Sequence, residues 1–373
     1  MPTTESQAIG RRIQQARERA GLTQTQLAAE IGIERSGLTK VEGGTRRVTA
    51  LELAGIATAL GERIEWFVTQ APAAIVSHRH QAEPGSRCPE IDRVIERFAR
   101  SVEFVLERDK KWSWEPGGPL PRPQTVSQAE DSAHLVRQSL HLSPHEPVNN
   151  LADTFVRLGL LTFSIDLGPD AADAGSVLLE QGGVAVINAD RKSGRRRLAL
   201  AHELGHHVFA DEYTIDHGIG LTDDPQAWEH RLDRFARALL LPRERIPTAW
   251  TEAQERGEGL RTTVVRMASD FMVDMATLAR RLLELGLIDA EQADRVRRVR
   301  TEKADILEQD LVIRKELCPG SLPREYAKAV LRLYRQESIS AARALDLLLD
   351  TWEEKDLPEL APLPKEAIRE FIS

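Results

Sequence analysis

The stretch His-Glu-Leu-Gly-His, residues 202–206, has the residue types and spacing most suited to chemistry in this 373-residue chain. On an α-helix His202 and His206 stand four residues apart and share one face, so both imidazoles can reach one ion. Glu203 is adjacent and can place its carboxylate near a metal-bound water, which is the physical sense of HExxH spacing. Zinc suits imidazole and carboxylate ligands, and it is catalytic when one of four positions is left to water. It lowers the pKa of that water to about 7. Glu203 would take the proton as the hydroxide attacks a carbonyl and hand it to the leaving amine. HExxH alone is a loose pattern, and an ordinary amphipathic helix also accommodates it. A third ligand is needed. Glu229 and Asp233 lie one turn apart on a second amphipathic segment, EHRLDRFARALLLP. Either carboxylate could complete the set, with the other hydrogen-bonding a ligand imidazole. Two surface acids at a positive helix start fit the same spacing, so spacing leaves the choice open.

The elements around these residues follow from periodicity. VSQAEDSAHLVRQSLHL reads as helix, and NNLADTFVRLGLLTFSIDL as a helix running into a strand. SVLLEQGG and VAVINAD read as two short strands joined through Gly182-Gly183. The basic turn RKSGRRR leads into the His-Glu helix. Gly205 costs that helix about 1 kcal/mol relative to alanine, for which close approach by another backbone is a motive. Helical patterns then cover 229–240, 262–286 (with a short turn at Val273-Asp274), 290–311, 323–335, 338–353 and 364–372. The expected class is multidomain: an all-α five-helix N-terminal domain, an α+β middle with a small sheet, and an α-helical C-terminal region.

Residues 6–69 read as the five short helices, with glycines at the breaks and Thr23 and Thr49 as N-caps. Residues 70–125 read as linker, Pro- and Gly-rich at both ends, with one charged helix at 90–109. His78 and His80 fall in it and are expected to be solvated. Net charge is −8, so nucleic-acid binding must rest on a local patch. Hydrophobic residues make up 41% and charged residues 29%, within the range of soluble globular proteins. No apolar run has transmembrane length and no signal-like start is seen, so a cytoplasmic protein without membrane contact is expected. Cys88 and Cys318 are the two cysteines and form no metal-binding pair, which suits a reducing compartment.

Two resemblances sharpen this reading. LTQTQLAAEIGIERSGLTKVEGGTRRVTALELAGIATALG resembles the XRE, or lambda-repressor-like, helix-turn-helix family. It implies that the helix ERSGLTKVEGG enters the major groove of double-stranded DNA. Arg35, Ser36, Thr39 and Lys40 are then exposed toward DNA, with Arg35 reading guanine and Lys40 a phosphate. Gln24 would contact phosphate or adenine, and Arg46 and Arg47 the backbone. Such modules bind paired half-sites, so a homodimer is expected. A fold retained for protein interaction is the alternative.

The run VAVINADRKSGRRRLALAHELGHHVF, with EHRLDRFARALLLP and VVRMASDFMVDMATLARRLLELGLI after it, resembles the ImmA/IrrE family of zincin-like metallopeptidases. The match spans roughly residues 126–290. It implies one zinc per chain held by His202, His206 and Glu229, with Asp233 behind a ligand and Glu203 as base. Arg231 and Leu232 depart from the family's usual residues without touching these positions. Tyr213, His217 and His207 are candidate oxyanion donors, His207 the one expected to turn away from the metal. The resemblance further implies cleavage of a repressor or antitoxin-like protein partner, often in stress response; the sequence is compatible with a latent as well as a constitutive activity. The rival is a DNA-binding transcription factor or antitoxin-like binder whose zinc is structural or sensory. Residues 291–373 are expected to be a helical cap, an oligomerisation surface or a docking site.

Overall fold

The computed structural model describes residues 4–60, 62, 64–68, 76–79, 89–112, 117–210, 224–349 and 351–360. It divides into two units, Met1–Ala73 and Ala74–Ser373.

The first unit contains α1 (Thr4–Arg19), α2 (Gln24–Glu30), α3 (Arg35–Glu42), α4 (Ala50–Leu60) and α5 (Ile64–Val68). Their apolar faces meet in a core that includes Ile13, Leu27, Leu38, Ile56 and Phe67. Thr23 caps α2 in a reciprocal box: its hydroxyl accepts from the Gln26 N–H, and Gln26 Oε1 accepts from the Thr23 N–H at 2.8 Å. Gly10 lets α1 cross the end of α3. A Cβ there would stand 2.3 Å from the Val41 carbonyl oxygen. A buried Arg17–Glu42 ion pair at 2.6 Å ties the same two helices.

The second unit is built on a four-stranded sheet in the order β1-β3-β4-β2. The strands are β1 (Val76–Arg79), β2 (Leu160–Ile165), β3 (Ala174–Leu179) and β4 (Gly182–Asn188). β2 runs parallel to β4, and β3 antiparallel to it. β1 pairs antiparallel with β3. The helices are α6 (Pro89–Arg108), α7 (Val126–Ser139), α8 (Leu151–Phe155), α9 (Ser193–Val208), α10 (Pro225–Leu240), α11 (Ile246–Glu255), α12 (Leu260–Asp270), α13 (Met275–Glu284), α14 (Ala290–Arg298), α15 (Lys303–Glu308), α16 (Arg324–Arg335) and α17 (Ala341–Leu347).

Strand side chains alternate between two cores. Ala185 and Ile187 of β4 face the cluster formed with α7 to α14. Val184 and Val186 face a second cluster with α6, α16 and α17. Phe163 of β2 stacks between Phe98 of α6, 4.9 Å away, and Tyr326 of α16, 5.3 Å away. Every residue of β4 is buried, as a strand covered on both faces requires.

Here the structure differs from the sequence reading. Residues 70–125 supply a strand and a sheet-covering helix rather than linker alone, and the C-terminal region covers the sheet too. The cause is that a sheet apolar on both faces must bury both. Residues 290–311 form two helices, because α14 stops at Arg298 and α15 starts at Lys303. The helix expected at 364–372 lies outside the described residues. Among the described residues no helix is long and apolar enough to cross a membrane.

Candidate metal centre

Helix α9 runs under the sheet and carries His202, Glu203 and His206, which are 1%, 0% and 3% exposed. The two imidazole rings stand 5.0 Å apart, edge to face. Glu229 comes from α10, which Asp224 caps by accepting from the Gln226 N–H. Its Oε2 lies 3.1 Å from His202 Nε2, and its Oε1 lies 3.8 Å from His206 Nε2. One ligand atom from each of the three residues falls within 4.8 Å of the others.

These residues fit a zinc ion. A tetrahedron with arms of about 2.0–2.1 Å has edges of about 3.4 Å, close to the two separations. Asp233, one turn along α10, accepts from His202 Nδ1–H at 3.0 Å. That bond selects the tautomer whose Nε2 lone pair faces Glu229. Two lone-pair atoms at 3.1 Å need a proton or a cation between them. With a proton in that position, burial pushes the Glu229 carboxyl up, but the hydrogen bond from His202 Nε2–H and the charges of His202 and His206 more than offset it. The net result is a carboxyl below its ordinary value.

Residues 13–67 match the helix-turn-helix family model, and residues 156–283 match the model of the IrrE N-terminal-like domain, a metallopeptidase-type family. The chain joins a helix-turn-helix domain to an IrrE-like domain. A comparison with curated proteins finds no match. Among solved structures, the crystal structure of Bacillus thuringiensis PlcR in complex with the peptide PapR7 and DNA aligns over 98% of this chain and 99% of that one. Identity is 11% and the TM-score 0.18, and at that score the likeness carries no argument.

Within the IrrE-like domain, Glu203 is not one of the three clustered residues. Its Oε2 accepts from the Ser176 hydroxyl of β3 at 2.6 Å. Ser176 was not singled out in the sequence, because strand pairing rather than spacing brings it there. Gly205 serves close packing between α9 and α10, but against side chains rather than backbone. A Cβ would meet Leu232 at 2.9 Å and Phe235 at 3.2 Å. His207 is excluded as an oxyanion donor: its Nε2–H donates to the Leu158 carbonyl at 2.8 Å, and Nδ1 is set against Gly183. Burial lowers its pKa, against the raising effect of the Leu158 bond. The other two oxyanion candidates, Tyr213 and His217, lie outside the described residues.

In the helix-turn-helix domain, Arg35, Ser36, Thr39, Lys40 and Arg47 are exposed. Gln24 is already engaged, donating to Glu42 Oε2 at 2.7 Å and accepting from the Thr39 hydroxyl at 3.2 Å. It therefore braces α2 on α3. Arg46 pairs with Glu52 at 2.6 Å.

Proposed function

We propose that the IrrE-like domain is a zinc-dependent peptidase that cuts a repressor or antitoxin-like protein partner in the cytoplasm. The helix-turn-helix domain brings it to double-stranded DNA as a homodimer. The observation that supports this reading most is the convergence of His202, His206 and Glu229, with a buried carboxylate, Glu203, next to a ligand and outside the set. A site that only holds metal has no use for that fourth group.

Zinc bound there supplies Lewis acidity toward a carbonyl and toward water. The chain's own residues do the rest. Glu203 takes the proton of the attacking water and returns it to the leaving amine. Ser176 orients Glu203 through its hydroxyl. Asp233 holds His202 so that Nε2 is presented. The C–O bond forms as water attacks, and the peptide C–N bond breaks afterwards, when the nitrogen has taken the proton, leaving a carboxylic acid that ionises and an amine. Arg35 and Lys40 would meet base edges and phosphate in the major groove.

The test is Glu203→Gln. Glu203 is not a proposed ligand, so the variant should retain zinc. New protein N-termini should be compared in cells making either form, with and without DNA damage. A new N-terminus present only with the wild-type protein identifies the substrate and establishes cleavage. Regulation that survives Glu203→Gln would instead make the protein a DNA-binding regulator with a structural or sensory metal.

A further inference from the structure

The second unit carries a cavity that the metal centre does not use. It has a volume of about 370 Å³ and lies where the loop at 145–147, the start of α11, the end of α12 and the stretch 309–314 meet. None of these segments holds a candidate metal ligand. Small-molecule sites commonly span about 300–1,000 Å³. Among the described residues three guanidiniums line this cavity, and two of them are already paired with carboxylates. Arg245 meets Glu252 at 2.9 Å, and Arg266 meets Glu258. Arg314 has no carboxylate. It donates to the Asn149 side-chain oxygen, and no other acceptor among the described residues meets it.

Asp270 is the converse. All three guanidiniums act on its carboxyl, yet none is hydrogen-bonded or ion-paired to it. Burial, offset only in part by those three charges, holds the carboxyl above its ordinary value. Arg314 and Asp270 are thus a cation and an anion on the wall of one cavity, neither with a countercharge in contact. A ligand that carries both charges close together completes such a pair. In a free α-amino acid the ammonium and the carboxylate are attached to one carbon. A guanidinium takes a carboxylate through two parallel N–H···O bonds, and a carboxylate accepts from an ammonium. An ammonium has three donors to place. The Gln309 side-chain oxygen, buried on the same wall without a hydrogen-bond partner, is a second acceptor. Phe271, Leu311 and Val312 make the wall partly apolar. Val312 is 66% exposed, so an apolar ligand side chain has surface to cover.

We infer that this cavity binds a free α-amino acid with an apolar side chain, its ammonium on Asp270 and its carboxylate on Arg314. Bound there, the amino acid bridges α12 to the stretch 309–314, and so ties the C-terminal region to the IrrE-like domain.

The experiment is titration calorimetry on the full chain. The probes are leucine and phenylalanine, the N-acetyl and amide derivatives of each, and glycine. Leucine or phenylalanine should bind. Blocking the ammonium or the carboxylate of the one that binds should each weaken it roughly tenfold or more. Glycine, with no side chain to bury, should be weaker by roughly tenfold as well. Arg314→Gln and Asp270→Asn should each lose roughly tenfold in affinity for the same amino acid, with zinc content and Tm unchanged. Asp310→Asn, at the exposed second carboxylate of the wall, should bind like wild type. The derivatives test both contacts on the wild-type chain, so the result does not depend on a variant that folds. Binding by neither amino acid, derivatives or glycine that bind as well as the parent, or a loss with Asp310→Asn in place of Asp270→Asn would overturn the inference. The cavity shares no residue with the metal centre, so this result and the peptidase reading stand or fall separately.

Discussion

Asp233 shows how much a single side chain outside the proposed ligand set can control. It accepts from His202 Nδ1–H at 3.0 Å, and its other oxygen lies 3.6 Å from Arg237. Without it His202 loses the bond that sets ring orientation and tautomer. Asp233→Ala should weaken zinc binding by roughly 10–100-fold, read by competition with a chromophoric chelator. Asp233→Asn, which keeps an oxygen for Nδ1–H, should recover part of the loss. Equal affinity in all three proteins would remove Asp233 from the centre. His207 makes the opposite point. It stands next to a ligand in sequence, yet one residue along a helix is a turn of about 100°, and it donates to Leu158 instead.

At the scale of elements, α10 must be held still because it carries both Glu229 and Asp233. A buried charge cluster does this. Arg281 of α13 and Arg234 of α10 meet Glu130 of α7 at 2.6 and 2.8 Å. Arg237 and Arg234 also meet Glu284 of α13 at 2.9 and 3.0 Å. Arg281 is fully buried, and once Glu130 is neutralised the carboxylate left to balance it is Glu284, farther off at 3.8 Å. Glu130→Gln should cost about 3–5 kcal/mol, measured by denaturant unfolding. Burial pushes the Glu130 carboxyl up, but hydrogen bonds and charge from Arg281 and Arg234 bring it below its ordinary 4.5. A depressed carboxyl contributes stability that is fully present above its unfolded pKa. That contribution should fall away as pH drops below 4.5 through the lower folded value. Glu130→Gln should flatten this part of the acid profile, and an unchanged profile would show that other groups govern it.

At the scale of the molecule, the two units have separate cores. The proposed advantage of joining them is local concentration: a peptidase delivered to DNA meets a DNA-bound target more often than a free one. Removing residues 1–70 should therefore slow cutting of a DNA-bound target and leave cutting of the free target unchanged. Equal loss on both targets would count against tethering.

Much of this was legible in the sequence. His202 and His206 share a face because a helix repeats every 3.6 residues, and the helix is local. The five N-terminal helices, the three middle strands and the basic turn into α9 were likewise visible as short-range patterns of apolar residues, caps and glycines. Spacing on α10 could not separate Glu229 from Asp233, since both lie on one face one turn apart. Only the approach of α10 to α9 brings Glu229 near both histidines and puts Asp233 behind His202. Long-range pairing likewise brings Ser176 to Glu203, seats β1 on β3 and covers the second face of the sheet with α6, α16 and α17. None of these has a periodic signature, because each depends on where the chain returns in space rather than on which residues are neighbours along it.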